Sequence, residues 1–374
     1  MNPHKTKAKD AHPSSEGMNL YDLVELKKRL EAAGGDSTMT RAGEASEFSA
    51  YLHAAGDSHV RDDLQALWTN PLGPWRRHVF GSHEVAIAID QLSAKAPNLS
   101  AFFRDIGRSC ALSIATRTAL RIDPIILVGP PGIGKTWAVK GVGRILGTTS
   151  RFIAANTMSD LKSSLCGLSP FWSRARKGIV ASTLLDSETT SPIIVLDEVD
   201  KVREVSSART EGGFAIDFMH SLLEAENASS FVDEFLEIAF RADHIIWILT
   251  ANDLDPIPPT ILDRLTIVKV DAPDPEATRG LVRAIFCEIV AEYGGAFDDR
   301  LPAVAVEALC DLNPRRIRRA IRRAFGIAAI AGRTCVTVED VRTAVAELSE
   351  PGLGRRHPIG FLAPTGKRLR AAEH

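Results

Sequence analysis

Residues 125–136 read Ile125-Ile126-Leu127-Val128-Gly129-Pro130-Pro131-Gly132-Ile133-Gly134-Lys135-Thr136. The first four are apolar and mostly β-branched, which suits a short strand buried on both faces. The next eight fill every fixed position of G-x-x-x-x-G-K-[ST]. Each residue type has a physical reason to be there. Glycine lets the backbone close around oxygen atoms with no side chain in the way. Amides from Gly132 to Thr136 point inward where a helix begins, and the helix N-terminus adds positive potential. Lys135 is placed to meet β- and γ-phosphates, and the Thr136 hydroxyl to ligate Mg²⁺. Residues Gly129, Pro130, Pro131, Gly132, Ile133, Gly134, Lys135 and Thr136 are thus the expected cradle of a triphosphate. The plain alternative is a glycine turn joining a strand to the helix Thr136–Leu146.

Working outward, four more strand-like apolar runs follow: Phe152–Ala155, Ile193–Leu196, Ile245–Thr250 and Ile267–Val270. Strands alternating with helices imply an α/β fold with a parallel five-stranded sheet. Helices are expected at 84–96 and 99–120 before it, and at 275–293, 301–311, 314–330 and 338–348 after it. Further upstream the pattern weakens. Residues 1–17 are polar and read as disordered. A helical pattern at Leu20–Ala33 stops at Gly34-Gly35, and 34–46 reads as a linker. A second helical stretch around Leu64, Leu67 and Trp68 ends in the turn-rich Asn70-Pro71-Leu72-Gly73-Pro74. The expected division is a variable helical region at 1–77, an α/β domain at 78–271, a small helical lid domain at 272–349 and a tail at 350–374.

Two carboxylates end the run Ile193-Ile194-Val195-Leu196-Asp197-Glu198. Open α/β sheets bind ligands outside the carboxyl ends of their strands. There Asp197 is expected to hold Mg²⁺, and Glu198 to orient and polarise an attacking water. The run Ile245–Ala251 ends in Asn252, which suits a contact to the γ-phosphate or that water; a turn-forming Asn is its plain alternative. Leu262-Asp263-Arg264 offers an arginine able to reach a nucleotide held by a neighbouring subunit, its rigid fork binding oxygens bidentately; a surface Asp–Arg pair is the alternative.

Asn313-Pro314 opens a helix with a capping residue and a first-turn proline. Its apolar stripe is Ile317, Ile321, Phe325 and Ala328, and six arginines surround it (Arg315, Arg316, Arg318, Arg319, Arg322, Arg323). Arg315, or Arg316 after it, is positioned near the helix start to reach a nucleotide. The others suit a solvated face, an acidic neighbour or nucleic acid.

Composition excludes several classes. The 374 residues carry a net charge of −2, with 45% hydrophobic and 25% charged residues, so no global attraction to nucleic acid or anionic membrane is expected. The five cysteines (Cys110, Cys166, Cys287, Cys310, Cys335) form no C-x-x-C pair, which argues against metal ligation and a disulfide framework. No apolar run approaches a membrane span and the N-terminus lacks a secretory pattern, so a cytoplasmic location and no membrane partner are expected.

With these parts in hand, the chain resembles AAA+ ATPases, and within them the ATPase module of Lon, over about residues 78–349. The resemblance rests on GPPGIGKT at 129–136, IIVLDEVDKV at 193–202, SLLEAENASSFVDEFLEIAF at 221–240, IIWILTAN at 245–252 and IPPTILDRL at 257–265. It implies an AAA+ P-loop fold, ATP and Mg²⁺ as ligands, Walker A at Lys135 and Thr136, and Walker B at Asp197 and Glu198. It also implies sensor 1 at Asn252, an arginine finger at Arg264 and sensor 2 at Arg315. Lon-like modules thread polypeptide with an aromatic pore loop, and Phe171-Trp172 falls at the matching place, although WSRARKG departs from the usual tyrosine-led loop; a buried Trp packing a helix is the alternative. A ring, by resemblance a hexamer, and a protein substrate or effector are expected. Few residues follow 349, so no Ser-Lys peptidase domain, and no intrinsic proteolysis, is expected. Two other functions stay open: a nucleotide-switched assembly that recruits an effector, and a nucleic-acid-stimulated ATPase.

Overall fold

The computed structural model describes residues 16–38, 58–158, 160–172, 174–202 and 216–349. Residues 1–15 of the expected disordered segment, residues 39–46 of the expected linker and the tail 350–374 lie outside that set. The chain divides into two compact units, Met1–Leu281 and Val282–His374.

In the first unit, strand β1 (Gly17–Asn19) and helices α1 (Leu23–Ala32) and α2 (Ser58–Trp68) lead to β2 (Trp75–Arg77), α3 (His83–Lys95) and α4 (Ser100–Thr116). Next come β3 (Ile125–Val128), α5 (Lys135–Leu146), β4 (Ser150–Ala154), α6 (Leu161–Cys166), α7 (Ile179–Asp186) and β5 (Ile193–Asp197). Short helices α8 (His220–Leu223) and α9 (Ala225–Ala228), the ribbon β6 (Phe231–Val232) and β7 (Ala239–Phe240), then β8 (Ile246–Ala251), α10 (Pro259–Leu262) and β9 (Thr266–Lys269) follow.

Five strands form one sheet in the order β4-β5-β8-β3-β9, and every pair is parallel. These are the five apolar runs of the sequence, shifted by a residue or two. Successive side chains of a strand point to opposite faces, and the core divides accordingly. Ile126, Ile194, Leu196, Trp247 and Leu249 belong to one cluster; Ile125, Leu127, Ile193, Val195, Ile246 and Ile248 belong to the other. Phe102, Phe103 and Ile106 of α4 and Val139 and Val142 of α5 cover the second face. Leu26 and Leu30 of α1 and Leu64 and Leu67 of α2 join the first.

An isolated helix of ten residues, the length of α1, is marginal in water. Docking holds it, each fully buried leucine contributing about 2 kcal/mol. The described part of 16–77 is therefore built into the same core as the sheet. β1 pairs antiparallel with β2, and Arg241 N–H donates to Leu20 C=O at 2.7 Å. Arg76 is 1% exposed. Its guanidinium donates to the carbonyls of Ser187 (2.5 Å), Gly73 (2.9 Å), Trp75 (2.9 Å) and Leu185 (3.0 Å). Burial lowers its pKa, and these carbonyl dipoles replace the water it has lost.

Helix α11 (Pro275–Glu292) crosses the division, and α12 (Ala303–Glu307), α13 (Pro314–Ile330) and α14 (Val338–Ser349) complete the second unit. The Asn313 side chain caps α13 by accepting from Arg316 N–H at 2.9 Å. The expected stripe of Ile317, Ile321, Phe325 and Ala328 is buried, with Phe325 stacked 5.1 Å from Phe286. Three helices are shorter than the sequence pattern suggested. α1 begins at Leu23 rather than Leu20, because Asp22 caps it by accepting from Val24 N–H at 2.7 Å and Leu20 N–H turns to Pro74 C=O. α4 stops at Thr116 rather than reaching Leu120, because Arg117 adopts a left-handed φ of 54° and Leu120 N–H turns to Val79 C=O. α12 begins only after Pro302 and gives way at Leu309 to i→i−3 turns, the tighter bonds with which helices end. No described helix is long and apolar enough to cross a membrane.

Candidate active site

The sheet register puts Val128 opposite Ala251 and Leu196 opposite Leu249. The carboxyl ends of β3, β5 and β8 thus open onto one edge, and the loop 129–134 rises from that edge into α5. Gly132 and Gly134 have φ of 82° and 107°, values that glycine adopts without strain. A Cβ at Gly129 would lie 2.1 Å from Val270 C=O, so the backbone there packs against the neighbouring strand end. Asn98, between α3 and α4, donates to Ile133 C=O at 3.3 Å and to Asp271 C=O at 3.2 Å; it ties the loop down from the other side.

Lys135 is 8% exposed. Its ammonium donates to the carbonyls of Gly129 (2.5 Å), Pro130 (3.2 Å) and Ala251 (3.3 Å). Burial lowers its pKa, against the pull of Asp197, Asp200 and Glu198. Thr136 is the second residue of α5 and half-buried. Asp197 closes β5, and Thr250 of β8 donates its hydroxyl to Asp197 Oδ1. Glu198 follows in a left-handed conformation, φ 57°, unusual for a residue with a Cβ and worth a functional question. Its N–H donates to Thr250 Oγ1 at 3.1 Å. Its carboxylate is held twice, by Asn156 Nδ2 and by Lys201 Nζ, each at 2.6 Å. Asn252 Nδ2 lies 3.5 Å from Asp200 Oδ2.

The chemistry of this edge fits a triphosphate and a divalent cation. The cradle is glycine-built, one lysine faces three carboxylates, and Asp200 Oδ1 is a buried oxygen with no hydrogen-bond partner among the described residues. Lys135, Asp197, Glu198 and Asn252 come together here. Asn156, Lys201 and Thr250 are additions that the sequence patterns had not singled out. Lys201 had a local signal, lying three residues after Glu198 on a turn. Asn156 had none, since only the β4–β5 pairing brings it near.

Arg264, just after α10, is not paired with Asp263. Its Nε and Nη2 lie 2.5 Å from Glu224 Oε1, and Nη1 donates to Thr260 C=O at 2.7 Å. In the second unit, most arginines of α13 are engaged. Arg318 pairs with Glu288 and Glu292, Arg322 with Glu292, Arg323 with Glu347, and Arg316 donates to Leu348 C=O. Arg315 is exposed in the first turn.

Phe171 and Trp172 sit at the tip of the loop between α6 and α7. They are 94% and 66% exposed, so the buried-Trp alternative does not hold. The stem of this loop is closed by a bridge between Leu168 and Arg176. It is clamped by Asp233, which follows β6. This fully buried carboxylate accepts N–H groups of Gly178 (2.7 Å), Phe235 (3.0 Å) and Leu236 (2.9 Å). Burial raises its pKa, and the three N–H bonds act in the opposite direction. Glu234 N–H donates to Cys166 C=O at 2.8 Å. A Cβ at Gly178 would lie 2.3 Å from Leu165 C=O, which explains glycine there. The segment 231–240 is thus the foundation of the aromatic loop.

Sheet order, phosphate loop and acidic strand end together define an AAA+ P-loop fold. Residues 125–270, from β3 to the end of the sheet, match the family model described as "ATPase family associated with various cellular activities (AAA)". The chain is also similar to Lon protease 2 of Sorangium cellulosum, 30% identical over 261 residues that are 68% of this chain and 31% of that protein. A second relative is Lon protease of Treponema pallidum, 34% identical over 146 residues, 39% of this chain and 16% of that one. Among solved structures, a point mutant of Thermotoga maritima RuvB aligns with a TM-score of 0.43 at 13% identity, covering 66% of this chain and 70% of that one. The chain therefore carries a Lon-like AAA+ ATPase module, and it spans under a third of the length of these Lon relatives.

Proposed function

We propose that this chain hydrolyses ATP with Mg²⁺ in a ring of like subunits and uses the cycle to grip and remodel a protein partner. The cradle of loop 129–134 takes the phosphates, and Lys135 exchanges its carbonyl partners for β- and γ-phosphate oxygens. Thr136 and Asp197 would hold Mg²⁺, which when bound neutralises charge on the phosphates. Glu198 orients the attacking water and accepts its proton as the bond to the γ-phosphorus forms and the β–γ bridging bond breaks. Asn252 steadies the γ-phosphate or the water. Arg264 reaches the nucleotide of the adjacent subunit, and Arg315 of the helical lid at 272–349 serves as the second sensor.

The observation that carries the remodelling reading is the aromatic pair Phe171-Trp172. Two large rings held out in water by a clamped stem are costly unless they meet apolar surface, and an extended polypeptide presents such surface along its length. The engaged arginines of α13 lend little support to nucleic acid. The test uses a permanently unfolded protein, reduced and carboxymethylated α-lactalbumin. It is expected to stimulate ATP turnover several-fold in the wild type, and Trp172→Ala is expected to lose that stimulation at unchanged nucleotide affinity. Stimulation that survives Trp172→Ala would rule out the grip.

A further inference from the structure

β8 is apolar except at one place. Ile246, Trp247, Ile248, Leu249 and Ala251 surround Thr250, which is 1% exposed. A buried hydroxyl destabilises a strand core unless its hydrogen and a lone pair both find partners. Valine has nearly the same shape and packs at least as well in a central strand, so packing gives no reason for threonine. Both capacities of this hydroxyl are used, and both on the end of β5. Its hydrogen goes to Asp197 Oδ1 and its oxygen takes Glu198 N–H at 3.1 Å.

The second bond matters because of the conformation it fixes. A non-glycine residue at φ 57° keeps that conformation only where its surroundings over-determine it. Thr250 supplies that constraint from the neighbouring strand. The first bond holds one carboxylate oxygen of Asp197, Oδ1, and so fixes the orientation of the carboxylate.

We propose that Thr250 is a positioning residue for hydrolysis: one hydroxyl locks the Asp197 carboxylate and the strained Glu198 main chain as a unit. It also links them to Asn252, two positions on along the same chain, so the γ-phosphate contact and the two carboxylates share one mechanical element. This inference rests on the ATPase reading of the site.

The test compares Thr250→Val, Thr250→Ala and Thr250→Ser with the wild type. Calorimetry with a non-hydrolysable ATP analogue is run with Mg²⁺ and with EDTA, and steady-state turnover is followed against Mg²⁺ concentration. Partners that orient a metal ligand are worth about 10–100-fold in metal affinity or activity. The valine and alanine variants are therefore expected to lose at least about tenfold in kcat and to need at least about tenfold more Mg²⁺ for half-maximal turnover. Their analogue affinity in EDTA is expected to match the wild type, and Thr250→Ser is expected to restore both losses. A purely structural role would lower the melting temperature without moving the Mg²⁺ dependence. If the valine variant does not fold, the alanine–serine pair, which differs by one oxygen, carries the test. Hydroxyl-free variants with wild-type kcat and Mg²⁺ dependence would overturn the Thr250 assignment alone. A wild type that binds no analogue would overturn it together with the ATPase reading.

Discussion

Lys135→Ala is expected to weaken binding of a non-hydrolysable ATP analogue by about 10²-fold or more, an effect equivalent to losing one or two charge-assisted hydrogen bonds. The expectation follows from where the ammonium sits. It is nearly buried and held by three backbone carbonyls, among them Gly129 C=O at the start of the loop. Asp197, Asp200 and Glu198 all act on it electrostatically. Removing it takes away a cation that acts on Asp197 and Asp200, while Lys201 stays paired with Glu198, so carboxylate–phosphate repulsion adds to the lost contacts. Glycine amides would still face the ligand, which is why weak binding survives. Calorimetry is the check, and an unchanged affinity would refute the phosphate-loop assignment.

Arg264→Ala is expected to lower ATP turnover by about 10³-fold, the lower end of what such arginines supply in phosphoryl transfer. The loss is expected to be partly reversed by mixing with Lys135→Ala chains. Within its own chain, Arg264 spends Nε and Nη2 on Glu224 and Nη1 on Thr260 C=O. A guanidinium has five N–H donors, so these contacts fix its plane and still leave donors for an outside oxygen. In a mixed assembly, an Arg264→Ala chain retains Lys135 and its neighbour retains Arg264, and one complete site forms at their junction. Turnover that stays at the level of the single variants would place the arginine's role within one chain.

Much of the first unit was legible because its sheet is buried on both faces. That burial demands unbroken apolar runs, and Ile125–Val128, Ile193–Leu196 and Ile245–Thr250 stand out in the sequence for this reason. The phosphate loop was legible because its chemistry is local. Glycines, lysine and threonine act within one turn, so their spacing in sequence is their geometry. The helix at 314–330 was equally plain from Asn313, Pro314 and a 3.6-residue stripe.

What escaped notice acts across long separations. β1 and β2 are three residues each, too short for any pattern, and they pair only because α1 and α2 fold back onto the core. Asn156 reaches Glu198, Glu224 reaches Arg264 and Asp233 reaches Gly178 through the tertiary fold alone. The segment 221–240 stood out by resemblance, but nothing in its residues announced that Asp233 would hold the stem of the aromatic loop. Exposure of Trp172 was likewise undetermined, since a tryptophan's composition suits a core as well as a tip.

The most direct measurement is phosphate release by the wild type and by Glu198→Gln, with ATP binding followed in parallel. The wild type is expected to release phosphate only with Mg²⁺ present. Glu198→Gln is expected to bind ATP as tightly but to release phosphate at least about 10²-fold more slowly, the usual worth of a positioned base. Glutamine keeps the side chain's shape and one oxygen to accept from Asn156, but it loses the charge paired with Lys201 and the capacity to take a proton. Wild-type rates in Glu198→Gln, or a wild type that binds ATP and never releases phosphate, would contradict the account.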